Sequence, residues 1–321
     1  MNLEPVLNEH LWAQKYRPQR ISDVILPSAI KESIIKNIAN GRSSNYIFDG
    51  PPGTGKTTLA FAIANEINAD VLKLNGSGSG RGVDTVKHEI PQFCTAISMG
   101  HAHKIVLIDE GDFLTQDACA ALRGTIEEFS KSTSFIITTN HKNKLPEAIR
   151  SRFVEVDFRI RRDQEKDLKT QLLKRCIEIL TLELGEKPNR EQMAVLAKLI
   201  EMFFPNNRKI LNTLQLMVQE NGLSASSLSV FSNDRFSDLI EYVKEAKWKK
   251  MAEWVAENID IAPENFISWF AEYGEENFGT QNMPLIVLNL NDYQNNVVNA
   301  INPTISTLAL FTRIMQQMQK G

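Results

Sequence analysis

Gly50-Pro51-Pro52-Gly53-Thr54-Gly55-Lys56-Thr57 is the stretch that decides the fold of this chain. It satisfies the phosphate-loop pattern G-x-x-x-x-G-K-[ST] at every fixed position. Tyr46-Ile47-Phe48-Asp49 before it reads as a short buried strand, and Thr58 to Ile67 after it as a helix free of Gly and Pro. Strand, loop and helix in that order turn the pattern into a physical statement. Glycines let backbone N–H groups point inward at phosphate oxygens, and the helix N-terminus adds partial positive charge. Lys56 is placed to reach the β- and γ-phosphates, and the Thr57 hydroxyl to hold Mg²⁺. The competing reading is a Gly/Pro turn with an exposed lysine.

Working outward, the first half alternates strands and helices. Apolar runs lie at Tyr46–Phe48, Val71–Leu74, Ile105–Ile108 and Phe135–Thr139, with helical stretches at Thr57–Ile67, Asp84–Ile97 and Gln116–Phe129 between them. Near-continuous apolar strands predict a parallel sheet with helices on both faces, an α/β fold. Nucleotide then belongs at the carboxyl ends of the strands. Arg159-Ile160-Arg161-Arg162-Asp163 reads as a hinge into an all-helical part, with Asp163 as N-cap of a helix to Leu184. Gly185 and Pro188 stop that helix; others span Arg190–Met202 and run from Pro205 to Val218. The serine-rich stretch Leu223–Ser232 reads as a linker. Beyond it, Phe236, Leu239, Ile240, Val243, Met251, Trp254 and Val255 recur at helical spacing, as do Ile301, Ile305, Leu308, Thr312 and Met315. Phe266, Ile267, Trp269 and Phe270 load a further helix with aromatics, as core or as a face toward another subunit. The predicted domains are 1–157, nucleotide-binding; 158–230, helical; and 231–321, helical.

The 321 residues are 42% hydrophobic and 23% charged, ordinary for a water-soluble globular protein. No apolar run approaches the roughly 18 residues of a membrane span, and Met1 to His10 is polar, without a signal peptide. Cys94, Cys119 and Cys176 are scattered, with no zinc-ligand spacing, and suit a reducing cytoplasm. The net charge of −3 is unevenly spread: residues 231–321 hold 7 basic and 12 acidic side chains. Such a segment is a poor nucleic-acid surface, so any such contact belongs to the first two-thirds.

Ile105-Val106-Leu107-Ile108-Asp109-Glu110 is the second strong signal, a buried strand ending in two carboxylates. Asp109 is the candidate contact to Mg²⁺, and Glu110 the candidate general base that polarises the attacking water. Asp112 is a candidate cap for the following helix. Phe135–Asn140 is another apolar strand with a polar end. Asn140 either positions water and γ-phosphate or simply forms a turn. Arg152, after Pro146–Arg150, is on spacing alone a surface arginine.

Together these residues resemble the AAA+ clamp-loader ATPase subunits. Leu11-Trp12-Ala13-Gln14-Lys15-Tyr16-Arg17-Pro18 is similar to the W-x-x-K-Y-R-P box that opens replication factor C small subunits. Asp109-Glu110 resembles the family's acidic box, Asn140 its sensor one and Ser151-Arg152 its S-R-C finger motif. Phe204-Pro205-Asn206-Asn207-Arg208-Lys209 resembles its sensor-two helix. The likeness covers residues 11–215 by motif and is greatest to the large subunits of T-even-type phage clamp loaders. It implies an AAA+ module, a helical lid and an all-helical collar. It implies an adenine pocket of Tyr16, Arg17 and Pro18 with Val24 and Ile25 nearby. Phosphates and Mg²⁺ fall to Pro52, Gly53, Thr54, Gly55, Lys56, Thr57 and Thr58. Asn140 and Arg208 are implied as γ-phosphate sensors in cis. Arg152 is implied as a finger acting in trans, worth on the order of 10³–10⁵ in rate. The implied cofactors are ATP and Mg²⁺. The implied partners are a homo-oligomer of four copies with a different clamp-loader subunit, a sliding clamp and primer–template DNA, in the cytoplasm of a host bacterium.

Three departures from the family stand out. Phe153 replaces the cysteine of S-R-C, and Cys119 stands where relatives carry a coupling glutamine. Gly111 replaces a bulkier residue, and the sequence offers no reason for it. The glycine-rich stretch Asn75–Gly82 lacks a Lys-Ser/Thr ending and reads as a flexible loop. In the family this region faces DNA, which makes Arg81 and Lys87 candidates for phosphate-backbone contacts. In the helix after it, Phe93 reads as core and Ile97 and Met99 as an exposed pair where the family meets its clamp. Alternatives are a helicase loader or branch-migration motor of the same fold, or an assembly subunit that binds ATP without turnover.

Overall fold

The structure is a computed structural model describing residues 11–78, 82–97, 103–220, 222–224, 228, 236–258, 263–297, 300 and 302–319. The chain divides into two compact units, Met1–Ala225 and Ser226–Gly321. In the first, helices α1 (Trp12–Lys15) and α2 (Ser28–Ile38) precede strand β1 (Tyr46–Asp49). Helix α3 (Lys56–Glu66) and strand β2 (Asp70–Asn75) follow. A π-helical turn (Thr85–Glu89) then runs into α4 (Ile90–Thr95), with Pro91 in its first turn. Next come β3 (Lys104–Asp109), α5 (Gln116–Phe129), β4 (Thr133–Thr139), α6 (Glu147–Arg150) and β5 (Val154–Asp157).

The five strands are all parallel, in the order β2-β3-β4-β1-β5. β4 is thus inserted between the phosphate-loop strand and the acidic strand, which brings three strand ends together around the loop. Alternation sorts the side chains. Tyr46, Phe48, Ile105, Leu107 and Ile136 pack on one face with Ile34, Leu59 and Ile63. Ile47, Val106, Ile108, Phe135 and Ile137 pack on the other with Ile90, Leu122 and Ile126. Both faces are therefore dry, and each fully buried aliphatic contributes about 1.5–3 kcal/mol of transfer free energy. β5 is the strand the sequence reading lacked: Val-Glu-Val-Asp lies on an edge, largely exposed.

Three helices complete this unit: α7 (Arg162–Leu184), α8 (Arg190–Phe203) and α9 (Asn207–Glu220). Leu168, Leu172, Cys176, Ile179 and Leu180 form the buried stripe of α7, and Gly185 at φ +76° ends it in the left-handed conformation. Its N-cap is Arg161, whose N–H donates to the Gln164 side chain. Asp163 lies inside the first turn, where a carboxylate still complements the helix dipole, so the assignment of Asp163 as cap is corrected. Asn189 and Gln192 form a reciprocal capping box on α8.

The second unit contains α10 (Ser237–Lys244), α11 (Trp248–Glu257), α12 (Pro263–Phe278), α13 (Met283–Val297) and α14 (Pro303–Met318). Phe236, Trp254, Phe266, Trp269, Phe270 and Phe311 share its core. The aromatics of α12 are therefore interior. Ala246 at φ +54° separates α10 from α11. Most of the Leu223–Ser232 stretch lies outside the described residues.

Candidate nucleotide site

Gly55 adopts φ +99°, the left-handed region, immediately before α3. The loop thereby delivers the unpaired N–H groups at the start of α3 toward the strand ends. Lys56 is buried, and its Nζ donates to Gly50 O at 2.7 Å, Pro51 O at 2.8 Å and Asn140 Oδ1 at 2.8 Å. Asn140 at the end of β4 is thus joined to the loop lysine. Thr57 Oγ1 donates to Asp109 Oδ1 at 2.8 Å, and Thr138 Oγ1 donates to the same oxygen at 2.6 Å. Lys73 Nζ lies 3.2 Å from Asp109 Oδ2. The Glu110 N–H donates to Thr138 Oγ1 at 3.1 Å.

Two glycines fix the backbone around Glu110, itself at φ +57°. A Cβ on Gly76 would meet Glu110 O at 2.4 Å, and one on Gly111 would meet Ile137 Cγ2 at 2.4 Å. The glycine after the acidic pair is therefore a packing requirement against β4. Asp112 occupies the short turn Gly111–Phe113, while Thr115 caps α5 by accepting from Ala118 N. The capping role expected of Asp112 thus belongs to Thr115.

These groups line a cavity of about 410 Å³. Its walls include Tyr16, Arg17, Pro18, Val24, Ile25, Pro52, Gly53, Thr54, Gly55, Lys56, Thr57, Thr58, Asp109, Glu110, Asn140 and Arg208. All the candidates for the chain's own half of the site are thus brought together. Lys73, Thr138, Arg175 and Asn207 also line it and were not singled out in the sequence. α7 brings Arg175, and α9 brings Asn207 beside Arg208; of the three only Arg208 carried a role by resemblance to the sensor-two helix. The N-terminal box ties these helices down: Tyr16 Oη and Lys15 Nζ both donate to Glu183 Oε1, and Trp12 N donates to Gln215 Oε1. A Cβ on Gly53 would strike Asn206 Oδ1 at 1.9 Å, so the loop touches the start of α9 directly.

Five cationic side chains face two carboxylates in this cavity. Burial pushes the Lys56 ammonium down to about 8, against the opposing pull of Asp49 and Asp109. Burial and the nearby Arg208 charge likewise lower Arg17. Burial opposes ionisation of Asp109, but hydrogen bonds from Thr138 and Thr57 and the Lys73 charge outweigh it, holding the carboxyl below its usual value. Arg17 Nε, Arg175 Nε and Asn207 Oδ1 are buried without partners. A surplus of positive charge and the two orphaned guanidinium donors are what a polyphosphate would relieve, whereas the Asn207 oxygen is an acceptor and would need a donor such as a ligand amine or water. Thr57 and Asp109 supply a hydroxyl and one carboxylate, the donor set for Mg²⁺ shared with phosphates.

Arg152 does not line the cavity. Its guanidinium pairs with exposed Glu127, and its Nη1 donates to Ala148 O at 2.5 Å. Lys87 is exposed on the π-helical turn, whereas Arg81 and Met99 lie outside the described residues. Ile97 is 95% exposed and Phe93 packs against the core. Cys119 is buried in that core.

Residues 46–161 match the ATPase family associated with various cellular activities (AAA). The sliding-clamp-loader large subunit of Escherichia phage RB69 is 35% identical over 248 residues, covering 76% of each chain. The chain belongs to the sliding-clamp-loader large-subunit family of AAA ATPases. The large subunit of Enterobacteria phage T4 is 30% identical over 322 residues, 97% of each chain. The replication factor C small subunit of Natronomonas pharaonis is 41% identical over 147 residues, 44% of this chain and 45% of that one. Among solved structures, the Thermotoga maritima RuvB Holliday junction branch migration motor aligns with a TM-score of 0.51 at 16% identity, over 72% of this chain and 80% of that one. That likeness is one of fold. Like its AAA relatives, this clamp-loader-family chain is a nucleotide-binding ATPase.

Proposed function

We propose that this chain is the ATP-hydrolysing subunit of a ring that loads a sliding clamp onto primer–template DNA. What carries the reading is the convergence of three strand ends on the phosphate loop. Asp109 meets Thr57, Asn140 meets Lys56, and Glu110 stands beside them on the cavity wall. ATP fills the cavity with its base against Tyr16, Pro18, Val24 and Ile25 and its phosphates on residues 52–58. Thr57 and Asp109 would hold Mg²⁺, which when bound would neutralise charge on the phosphates. Glu110 accepts the proton of the attacking water as its oxygen bonds the γ-phosphorus and the β–γ bridge breaks. Lys56, Arg208 and, from the next subunit, Arg152 stabilise the charge that develops.

Arg152 lies off its own cavity, which supports its acting on a neighbour's site; ATP then joins neighbours and its loss loosens them. Residues 158–230 act as a lid and 231–321 as a collar, with four copies joined to a different subunit. Ile97 lies on the clamp-facing side; Lys87 and Arg81 contact DNA phosphates. Turnover with clamp and primed DNA tests the roles. Glu110→Gln retains ATP binding and loses at least about 10²-fold in rate; equal rates would instead mark a subunit that binds without hydrolysing. Arg152→Ala loses stimulated turnover, and a near-wild-type rate would remove the finger.

A further inference from the structure

Lys73 has no place in the roles above, yet it lines the same cavity. It sits on the edge strand β2 opposite Leu107, two residues short of Asp109 along β3. Only a long side chain spans that offset, and its ammonium ends 3.2 Å from Asp109 Oδ2. The other carboxylate oxygen, Oδ1, already accepts from Thr57 and Thr138. Asp109 thus meets two hydroxyls on Oδ1 and one ammonium at Oδ2, and the ammonium is the one mobile donor of the three. The Lys73 side chain is 46% exposed, against 18% for Asp109. It can swing into solvent without disturbing the sheet, whereas Asp109 cannot.

We propose that Lys73 is the resident counter-ion of the metal position, holding Asp109 until a divalent cation arriving with nucleotide displaces it. The inference rests on the reading of Thr57 and Asp109 as metal ligands. A cation shared between them meets the Lys73 charge at close range, and like charges there raise the metal concentration needed for occupancy. In the metal-free protein the same ammonium spares Asp109 an unpaired, part-buried charge. Lys73 is a positioning residue: it sets when the metal enters, not how the phosphate is cleaved.

The test is a Mg²⁺ titration of the complex with a fluorescent ADP analogue, for wild type, Lys73→Met and Lys73→Arg. The metal midpoint of Lys73→Met falls about five-fold, the scale of a part-exposed ion pair, while Lys73→Arg keeps the wild-type value. A midpoint within about twofold of wild type, or one that rises, overturns the proposal; a rise would mean that Lys73 orients Asp109 for the metal. Lys73→Gln repeats the measurement should the methionine variant fold poorly. A wild-type protein that binds no analogue at all would defeat the nucleotide-site reading itself, which separates the two failures.

Discussion

Replacing Gly111 by alanine adds one methyl group where the structure has no room. The new Cβ would lie 2.4 Å from Ile137 Cγ2, well inside contact distance, with Thr138 O at 3.6 Å and Ile108 Cγ2 at 3.9 Å. Ile137 is fully buried on β4 and cannot rotate away. Either β4 shifts or the Gly111 backbone retreats from it, and overpacking of this kind costs about 1–3 kcal/mol. Retreat also pulls on Glu110, whose left-handed backbone is wedged between Gly76 and Gly111. Stability is read from urea denaturation of Gly111→Ala, Ile137→Ala and the double variant. Ile137→Ala alone costs about 2–5 kcal/mol through the cavity it leaves. The double variant restores part of the lost contact, so its cost is lower than the sum of the singles by at least about 1 kcal/mol. Additive costs, or a single Gly111→Ala cost under about 0.5 kcal/mol, would refute the steric account.

Three further expectations follow from other parts of the chain. Lys56 is lowered to about 8 from 10.5 by burial, so the empty fold carries the cost of its charge below about pH 8 and gains stability as pH rises from there toward 10.5. Bound phosphate favours the charged form, so ADP affinity falls above pH 8, approaching tenfold per pH unit; a flat calorimetric profile from pH 7 to 9 would contradict this. Lys104→Met removes a buried ammonium that donates to Phe93 O at 2.8 Å, Cys94 O at 3.0 Å and Ala96 O at the end of α4. Stranding those carbonyls costs about 2–4 kcal/mol in urea denaturation, and an unchanged midpoint denies the lysine its role in holding that helix end. A chain ending at Ala225 retains ADP binding, because every cavity residue lies in the first unit, but it elutes as a monomer in gel filtration. A stable oligomer from that chain would remove the collar role from the last helices.

The strands β1, β3 and β4 were legible because they are buried on both faces and end in motif residues. Helix α5 was legible to the residue, since Gln116–Phe129 has a strong apolar stripe. β5 was not, because four alternating residues on an exposed edge carry little signal. The helical reading of 231–321 covers α13, but its bounds were not legible, because its run Asn289–Asn296 is rich in amides that disguise the helical period. In the site, the loop and acidic pair could be read from spacing, while spacing left the strand-end asparagine open between a site role and a turn. Lys73, Arg175 and Asn207 could not, since they reach the cavity only through the register of β2 and the packing of α7 and α9. Gly111 made no sense locally because its reason is Ile137, 26 positions away on another strand.

The ties from Trp12, Lys15 and Tyr16 to Gln215 and Glu183 span sequence separations of 203, 168 and 167 residues. A pocket closed by such distant partners is assembled last, after loop-closure entropy has been met over most of the first unit. During synthesis from the N-terminus, the phosphate loop emerges early but has no complete pocket until α9 follows it out. Tight nucleotide capture by a nascent chain would therefore report that the first unit is finished, while the last helical unit is still to be made.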